Sequence, residues 1–180
     1  MPDFNYLSFE DSYLPTIFVS LFSNFTNITH LYINETHVKQ IQQGGFNGLD
    51  KLRVLQLANN ELTEILRGTL NHLSRLIVLN MSHNHIDIIE SNAFMGLLNL
   101  EKLILNNNNV KTLHPNTFPY LQFIKVIDLS YNMIIDIPQN AFENKSDYRD
   151  YPVNEGVTLD LSYNYIKSLN SSYIPITLSI

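Results

Sequence analysis

One asparagine recurs with a 24-residue spacing and organises the chain, with copies at Asn60, Asn84, Asn108 and Asn132. Each copy lies in the same frame, L-x-x-L-x-L-x-x-N-x-L, as in LRVLQLANNEL at 52–62. The alternating apolar residues of this frame predict a short strand with one buried face. The chain must then turn, and the asparagine amide can bond backbone groups that the turn leaves without partners. No single copy can close a core, so the copies must stack.

Two further columns of residues keep the same spacing and extend the array towards the N-terminus. In the two copies that precede Asn60, the asparagine position holds Ser12 and then Thr36. We expect these small polar residues to make weaker versions of the same bonds. The aromatic column consists of Phe22, Phe46, Leu70, Phe94, Phe118 and Phe142, and the aliphatic column of Ile17, Ile41, Ile65, Ile89, Leu113 and Ile137. Three columns in step predict stacked repeats, which is an α/β-type solenoid.

The phase of the repeats predicts the domain organisation. We expect a single domain over residues 1–180, with repeats beginning near residues 4, 28, 52, 76, 100, 124 and 156. Seven parallel strands should centre near residues 7–9, 31–33, 55–57, 79–81, 103–105, 127–129 and 159–161.

The regular spacing ends after the aromatic position 142. Asn164 follows Asn132 at a longer interval than separates the earlier copies, so the polar segment 143–156 is predicted to contain a protruding loop insertion. Leu178 and Ile180 suggest one further strand. Because an apolar strand at the end of a solenoid would leave an open edge, we expect the chain to be truncated after residue 180.

The frame at 52–62 and its copies resemble the typical 24-residue subfamily of leucine-rich repeats. The resemblance implies a horseshoe of about seven repeats, with a concave parallel β-sheet and a convex side of loops and short helical or 3-10 turns. That subfamily is found mostly outside the cell, in receptor ectodomains, adhesion proteins and proteoglycans.

The opening sequence FEDSYLPTIFVSLFSNFTNITHLYINETHVKQI is similar to the first repeats of insect leucine-rich-repeat proteins. Mosquito immune proteins that act with complement-like factors and insect Toll-like ectodomains are the groups it resembles. Those immune proteins carry cysteines and a helical coiled-coil tail, and neither is present in this sequence.

Composition and the N-terminal sequence bear on the possible partners and on the cellular location. The net charge of −6 argues against nucleic acid as a partner. No apolar run approaches the roughly 20 residues that a membrane span needs. No signal peptide is visible at the N-terminus. Cysteine is absent, so its pattern does not indicate the redox compartment.

Catalytic and metal-binding motifs are not found in the sequence. His83 and His85 belong to a turn, and no carboxylate stands at a recognised ligand spacing from them or from His30. There is no G-x-S-x-G motif and no phosphate-binding glycine loop. We therefore expect no catalytic residues, no metal, no cofactor and no small-molecule substrate, and we predict that the chain is not an enzyme.

Residues that alternate with the buried strand positions should face the concave surface and bind a partner protein. Tyrosine and acidic side chains gather at its C-terminal end, and tyrosine anchors interfaces at a low entropy cost. The candidate partner-binding residues are Tyr32, Gln56, Ile104, Asp128, Tyr131, Asp160 and Tyr163. The structural asparagine column is Asn60, Asn84, Asn108, Asn132 and Asn164.

N-glycosylation sequons support an extracellular location. They occur at Asn24, Asn27, Asn34, Asn80, Asn144 and Asn170. Asn34 and Asn80 are expected on the concave face, where a glycan would obstruct a ligand. The candidates for modification are therefore Asn24, Asn27, Asn144 and Asn170.

We interpret the chain as an extracellular protein–protein interaction module, acting in insect innate immunity or receptor recognition. Two alternatives use the same surface: a cell-adhesion or matrix structural protein, and an intracellular regulatory scaffold in the cytoplasm. The sequence does not identify the ligand or the oligomeric state, because outward residues vary freely on this fold.

Overall fold

Short parallel strands stack along the chain to form one sheet. The computed structural model describes residues 5–118, 121–138, 140–141 and 157–167, and the backbone of 177–179. Consecutive strands of the sheet are hydrogen-bonded neighbours throughout. These strands are β1 (Tyr6–Ser8), β3 (His30–Tyr32), β5 (Val54–Gln56), β7 (Val78–Asn80), β9 (Lys102–Ile104), β10 (Val126–Asp128), β11 (Thr158–Asp160) and β12 (Thr177–Ser179).

The parallel-strand solenoid predicted from the repeats is confirmed, with strands that begin one residue earlier than expected. The difference arises because the second buried residue of each frame follows its strand. Leu57, for example, is fully buried, and its N–H donates to the Asn80 carbonyl oxygen at 2.8 Å. The further strand suggested by Leu178 is β12, which pairs in parallel with β11.

The sheet continues directly across the longer spacing between Asn132 and Asn164. Strand β11 pairs with β10 in parallel register, so that Asp128 lies opposite Asp160. The predicted loop insertion, 143–156, lies outside the described residues. The extra residues between the two strands therefore leave the order of the sheet unchanged.

The opposite side of the solenoid is built from turns and two-residue strands. The strands β2 (Thr16–Ile17) and β4 (Gln40–Ile41) form one pair, and β6 (Glu64–Ile65) and β8 (Ile88–Ile89) form another. No helix occurs in the described part of the chain, so the predicted helical or 3-10 turns are not found there. The single domain and the count of about seven repeats stay predictions.

Left-handed backbone conformations recur in the turns of this side. The equivalent position of five successive coils has φ between 57° and 86°, at Ser20, Gly44, Gly68, Asn92 and Asn116. Glycine and asparagine adopt this conformation at the lowest steric cost. Gly44 is therefore explained by the left-handed backbone of this turn and not by a functional role.

A continuous core runs between the two sides. The aromatic column is buried in its described members, and its rings stack between neighbouring coils. The centroids of Phe22 and Phe46 lie 6.1 Å apart, and those of Phe94 and Phe118 lie 5.7 Å apart. Phe142 lies outside the described residues. Each coil thus buries its apolar face against its neighbours.

The asparagine column bonds each coil to the coil before it. Asn84 Nδ2 donates to the Leu57 carbonyl of the preceding coil at 2.9 Å and to the Met81 carbonyl of its own coil at 3.1 Å. Its Oδ1 accepts from the Leu62 N–H at 3.0 Å. The same three kinds of bond recur at Asn60, Asn108, Asn132 and Asn164.

The two residues that replace asparagine differ from each other. Thr36 is fully buried, and its hydroxyl lies 3.2 Å from the Ile33 carbonyl oxygen and 3.1 Å from Asn60 Oδ1. Ser12 is exposed, and its backbone N–H donates to the Phe9 carbonyl. The expectation that Ser12 continues the column is wrong, because the first coil keeps that position in solvent.

We predict that Asn84→Ala and Asn108→Ala each lower the free energy of unfolding by about 1–3 kcal/mol, because buried carbonyl and N–H groups lose their partner. Thr36→Ala should cost less. The Ile33 carbonyl would still accept from Asn60 Nδ2, and Asn60 Oδ1 would still accept from the Val38 N–H. Urea unfolding of the three variants measures this, and equal stability of all three with the native chain would contradict it.

Candidate functional site

The open face of the sheet places one side chain from each of β3, β5, β7, β9, β10 and β11 in a single row. Register pairs Tyr32 with Gln56, Gln56 with Asn80, and Asn80 with Ile104. The row continues from Ile104 to Asp128 and then to Asp160. These side chains are half-buried, whereas the residue before each of them on its strand is buried in the core. The row is therefore a solvent-facing surface carried by a rigid scaffold.

Asp128 and Asp160 are held in the same way by the serine two positions further on. Asp128 Oδ1 accepts from the Ser130 N–H at 3.0 Å and from the Ser130 hydroxyl at 2.6 Å. Asp160 Oδ1 accepts from the Ser162 N–H at 2.9 Å and from its hydroxyl at 2.7 Å. Each carboxylate thus has a set orientation, and the two lie on neighbouring strands.

Tyr131 and Tyr163 stack on each other beside these carboxylates. Their ring centroids are 4.1 Å apart with an interplanar angle of 12°. The pKa of Tyr131 lies above its ordinary value, chiefly through hydrogen bonding with the Tyr163 side chain, then through loss of hydration and nearby negative charge that includes Asp160. The structure therefore places four of the predicted site residues together.

The other three predicted residues lie further along the row. Tyr32 is four strands from Asp128, roughly 19 Å at the usual spacing of about 4.8 Å, and stacks on His30 with centroids 6.3 Å apart. Gln56 Oε1 accepts from Asn80 Nδ2 at 2.8 Å. Ile104 lies opposite Asp128. Tyr32 and Gln56 thus share the open face with the acidic end without contacting it.

Every residue that immediately precedes the asparagine column adopts a left-handed backbone. The φ angles lie between 53° and 59° at Asp11, Glu35, Asn59, His83, Asn107, Tyr131 and Tyr163. Asparagine, aspartate and histidine are enriched in this conformation, whereas a bulky residue there is an outlier. Tyr131 and Tyr163 therefore occupy positions that the backbone itself would give to other residue types.

Sequence reasoning missed three exposed side chains next to the tyrosine pair. Met133, Ile135 and Tyr165 follow the asparagine column at its first and third positions and are exposed. We name the five residues Tyr131, Met133, Ile135, Tyr163 and Tyr165 the aromatic edge. The signal for it was present in the sequence, because the three preceding repeats hold polar residues at the same positions.

The predicted glycosylation residues have different surroundings. Asn24 is exposed, and Asn27 is exposed with its Oδ1 accepting from Lys51 Nζ at 2.8 Å. Asn34 and Asn80 are engaged at the sheet, where Asn34 Oδ1 accepts from the Ala58 N–H at 2.9 Å. Asn144 and Asn170 lie outside the described residues. Modification of any of these residues stays a prediction.

Histidine and acidic side chains do not gather into a metal-binding cluster in the described ranges. Within them, no group of three or more His, Cys, Asp or Glu side chains is placed to hold a metal ion. His83 and His85 are exposed in their turn. No helix in the part of the chain that the structure describes is long and apolar enough to cross a membrane.

The family of the chain follows from its repeats. The leucine rich repeat family model matches residues 5–62, 26–85, 50–110 and 98–146. These matches overlap to cover more than half of the sequence, so the chain belongs to the leucine-rich-repeat family. No curated protein matches the chain.

Two solved structures show the same fold. The leucine-rich repeat domain of APL1B, a mosquito immune protein, aligns with a TM-score of 0.73 and 21% identity over 90% of this chain and 44% of its own. TLR13, in a complex with ssRNA13, aligns with a TM-score of 0.57 and 24% identity over 72% of this chain and 22% of its own. The chain thus spans less than half the length of either structure.

The left-handed backbone of the residue before each asparagine-column position leads to a testable prediction at Glu35, whose φ is 57°. Glu35→Asn should raise the free energy of unfolding by up to about 1 kcal/mol, because asparagine tolerates this backbone better than glutamate. Asn59→Ala, at the same position of the next coil, should lower it. Urea unfolding of both variants measures the two changes, and a loss of stability in Glu35→Asn would contradict the argument.

Proposed function

We propose that the chain is an extracellular protein-interaction module, without enzymatic activity, that recognises a partner protein in insect innate immunity or receptor signalling. The contact surface is the C-terminal part of the open sheet face. The observation that carries this proposal is the exposed Tyr131–Tyr163 stack beside the register-paired carboxylates of Asp128 and Asp160. Exposed tyrosines on a rigid surface are typical anchors of protein interfaces.

The solved structures support an immune role through their own identities. APL1B is an immune protein and TLR13 belongs with the Toll-like group that the N-terminal repeats resemble. The TLR13 structure holds ssRNA, but this chain carries a net charge of −6 and two carboxylates at its candidate surface. A polyanion would be repelled there, so a protein partner is favoured.

Two rival functions use the same scaffold. An adhesion or matrix protein would bind through the same face without a signalling role, and an intracellular scaffold would do so in the cytoplasm. The exposed sequon at Asn24 favours the extracellular proposal. Carbohydrate at Asn24 on protein from its natural source, measured by mass spectrometry, would support secretion, whereas bare asparagine at every sequon would favour the intracellular scaffold.

The contact surface is tested with Asp128→Asn/Asp160→Asn, produced in a bacterial host without N-glycosylation, because each substitution creates an N-L-S sequon. Charge reversal would also remove the acceptors of Ser130 and Ser162, whereas the amide keeps Oδ1, as Asn80 does when it accepts from the Ser82 N–H at 3.0 Å. We expect the melting temperature to stay unchanged and partner capture from insect haemolymph to fall about tenfold or more. Quantitative mass spectrometry of the captured proteins measures the loss.

The matched control is Asp50→Asn/Asp87→Asn, which makes the same charge change at two exposed positions away from the site. Equal capture by the site variant and the control would contradict the proposal. The loop insertion 143–156 is the competing contact element. Deleting residues 146–153 restores the 24-residue spacing, and loss of capture in that variant alone would assign binding to the loop.

A further inference from the structure

The aromatic edge exposes five large apolar side chains together. Tyr163 is 69% exposed, Tyr165 67% and Tyr131 49%, and Met133 and Ile135 are about two-fifths exposed. They stand on two consecutive coils, whose backbones are joined by the Tyr165 N–H to the Ile134 carbonyl at 2.9 Å. A contiguous exposed apolar surface of this kind marks an interaction site.

The scaffold itself does not require apolar residues at these positions. The three preceding coils carry polar side chains at the equivalent sites, namely Asn59, Glu61 and Thr63, then His83, His85 and Asp87, then Asn107, Asn109 and Lys111. Those coils have the same left-handed column and the same asparagine bonds. The change from polar to apolar begins at the coil that holds Asp128, and in the next coil it includes Tyr163 and Tyr165 but not the third position, which is Lys167. In the first coil, the exposed Tyr13 at the position equivalent to Met133 lies against His37 instead.

The tyrosine pair also keeps a strained backbone without gaining burial. Tyr131 has φ 53° and Tyr163 has φ 57°, yet both side chains remain largely in solvent. Left-handed backbone at a bulky residue is unfavourable, and the strain is typical of binding sites. Their mutual stacking holds the two rings as one flat surface.

The neighbouring charges indicate what this surface accepts. Each aspartate uses Oδ1 on its serine, and the ion pairs among the described residues lie elsewhere. Those ion pairs join His37 and Lys39 to Glu61, and Lys125 to Glu101. An arginine guanidinium binds carboxylates through its planar fork and also stacks on tyrosine rings. Carboxylates beside a tyrosine stack therefore suit an arginine.

The size of the surface decides between a peptide segment and a second copy of the chain. A stable dimer buries about 20–30 residues on each side. Five side chains with two carboxylates beside them match a short segment instead. In addition, two copies that met at this end would bring their acidic pairs into one interface.

We propose that the aromatic edge binds a short segment of a partner protein that presents an arginine beside a large apolar side chain. The inference rests on the proposed function and names the chemistry of its partner. The guanidinium lies against the tyrosine stack and between Asp128 and Asp160, while the apolar side chain packs on Met133 and Ile135.

The test uses a phage library of random dodecapeptides selected on the full chain. We expect the selected peptides to share an arginine next to a large apolar residue, and a synthetic peptide of that sequence to bind about tenfold more weakly when its arginine becomes glutamine. Tyr131→Asn/Tyr163→Asn should weaken binding by a similar factor. Its melting temperature should not fall, because asparagine occupies the same left-handed position at Asn59 and Asn107.

The matched control is Glu35→Asn/His83→Asn, which changes the same column in other coils and should keep peptide binding unchanged. Selected peptides without arginine, or equal binding to the tyrosine variant, would overturn the inference. So would a dimer in sedimentation equilibrium that the tyrosine variant dissociates, because the occupant would then be a second copy. If haemolymph capture still depends on Asp128 and Asp160 in that case, the proposed function stands while the arginine segment fails.

Discussion

The asparagine amide that joins one coil to the next is the interaction on which the solenoid depends. Asn108, for example, donates to the Met81 carbonyl of the preceding coil and to the Leu105 carbonyl of its own, each at 3.0 Å, and accepts from the Ile86 N–H at 3.0 Å. These backbone groups are buried at a turn, where leaving them unpaired would be costly. One side chain therefore satisfies two coils at once. It fixes the spacing between the strand and the turn that follows it, whereas the rest of a coil can change in length, as it does between Asn132 and Asn164.

Because the asparagine bonds and the buried core stabilise the scaffold, its outward-facing residues can differ from coil to coil. The position before each asparagine has the same left-handed backbone throughout, although its residue type changes from Asn59 and His83 to Tyr131 and Tyr163. The backbone conformation therefore does not favour the tyrosines, since asparagine is better suited to it. The proposed binding role accounts for residues that this backbone disfavours and that stay exposed to solvent. This contrast between equivalent coils is more informative than the exposure of any one residue.

Most of the fold could be predicted from the sequence, because a regular period with three buried columns is satisfied by stacked parallel-strand repeats. The predicted strands lie one residue late, because burial continues past the strand end at positions such as Leu57. The predicted bonds of Ser12 are not found, because the first coil leaves that residue exposed. The alternation of buried and outward-facing residues along each strand predicted the two aspartates of the site. This alternation stops where the strand ends. Met133, Ile135 and Tyr165 lie on the turn that follows the asparagine, where the period of two no longer applies. Comparison of equivalent turn positions between coils would have found them.

The longer spacing before the last coils shows how the site is assembled. Asp128 and Asp160 are further apart in sequence than the matching residues of any earlier pair of coils, yet they are register partners on adjacent strands. Closing a longer loop adds little free energy, because the entropic cost grows only with the logarithm of its length. The stacked core and the Asn164 bonds to the Leu129 and Leu161 carbonyls are enough to return the chain to the same sheet. The two coils on either side of the insertion thus place the carboxylates on adjacent strands and the two tyrosine rings against each other, as the proposed binding surface requires.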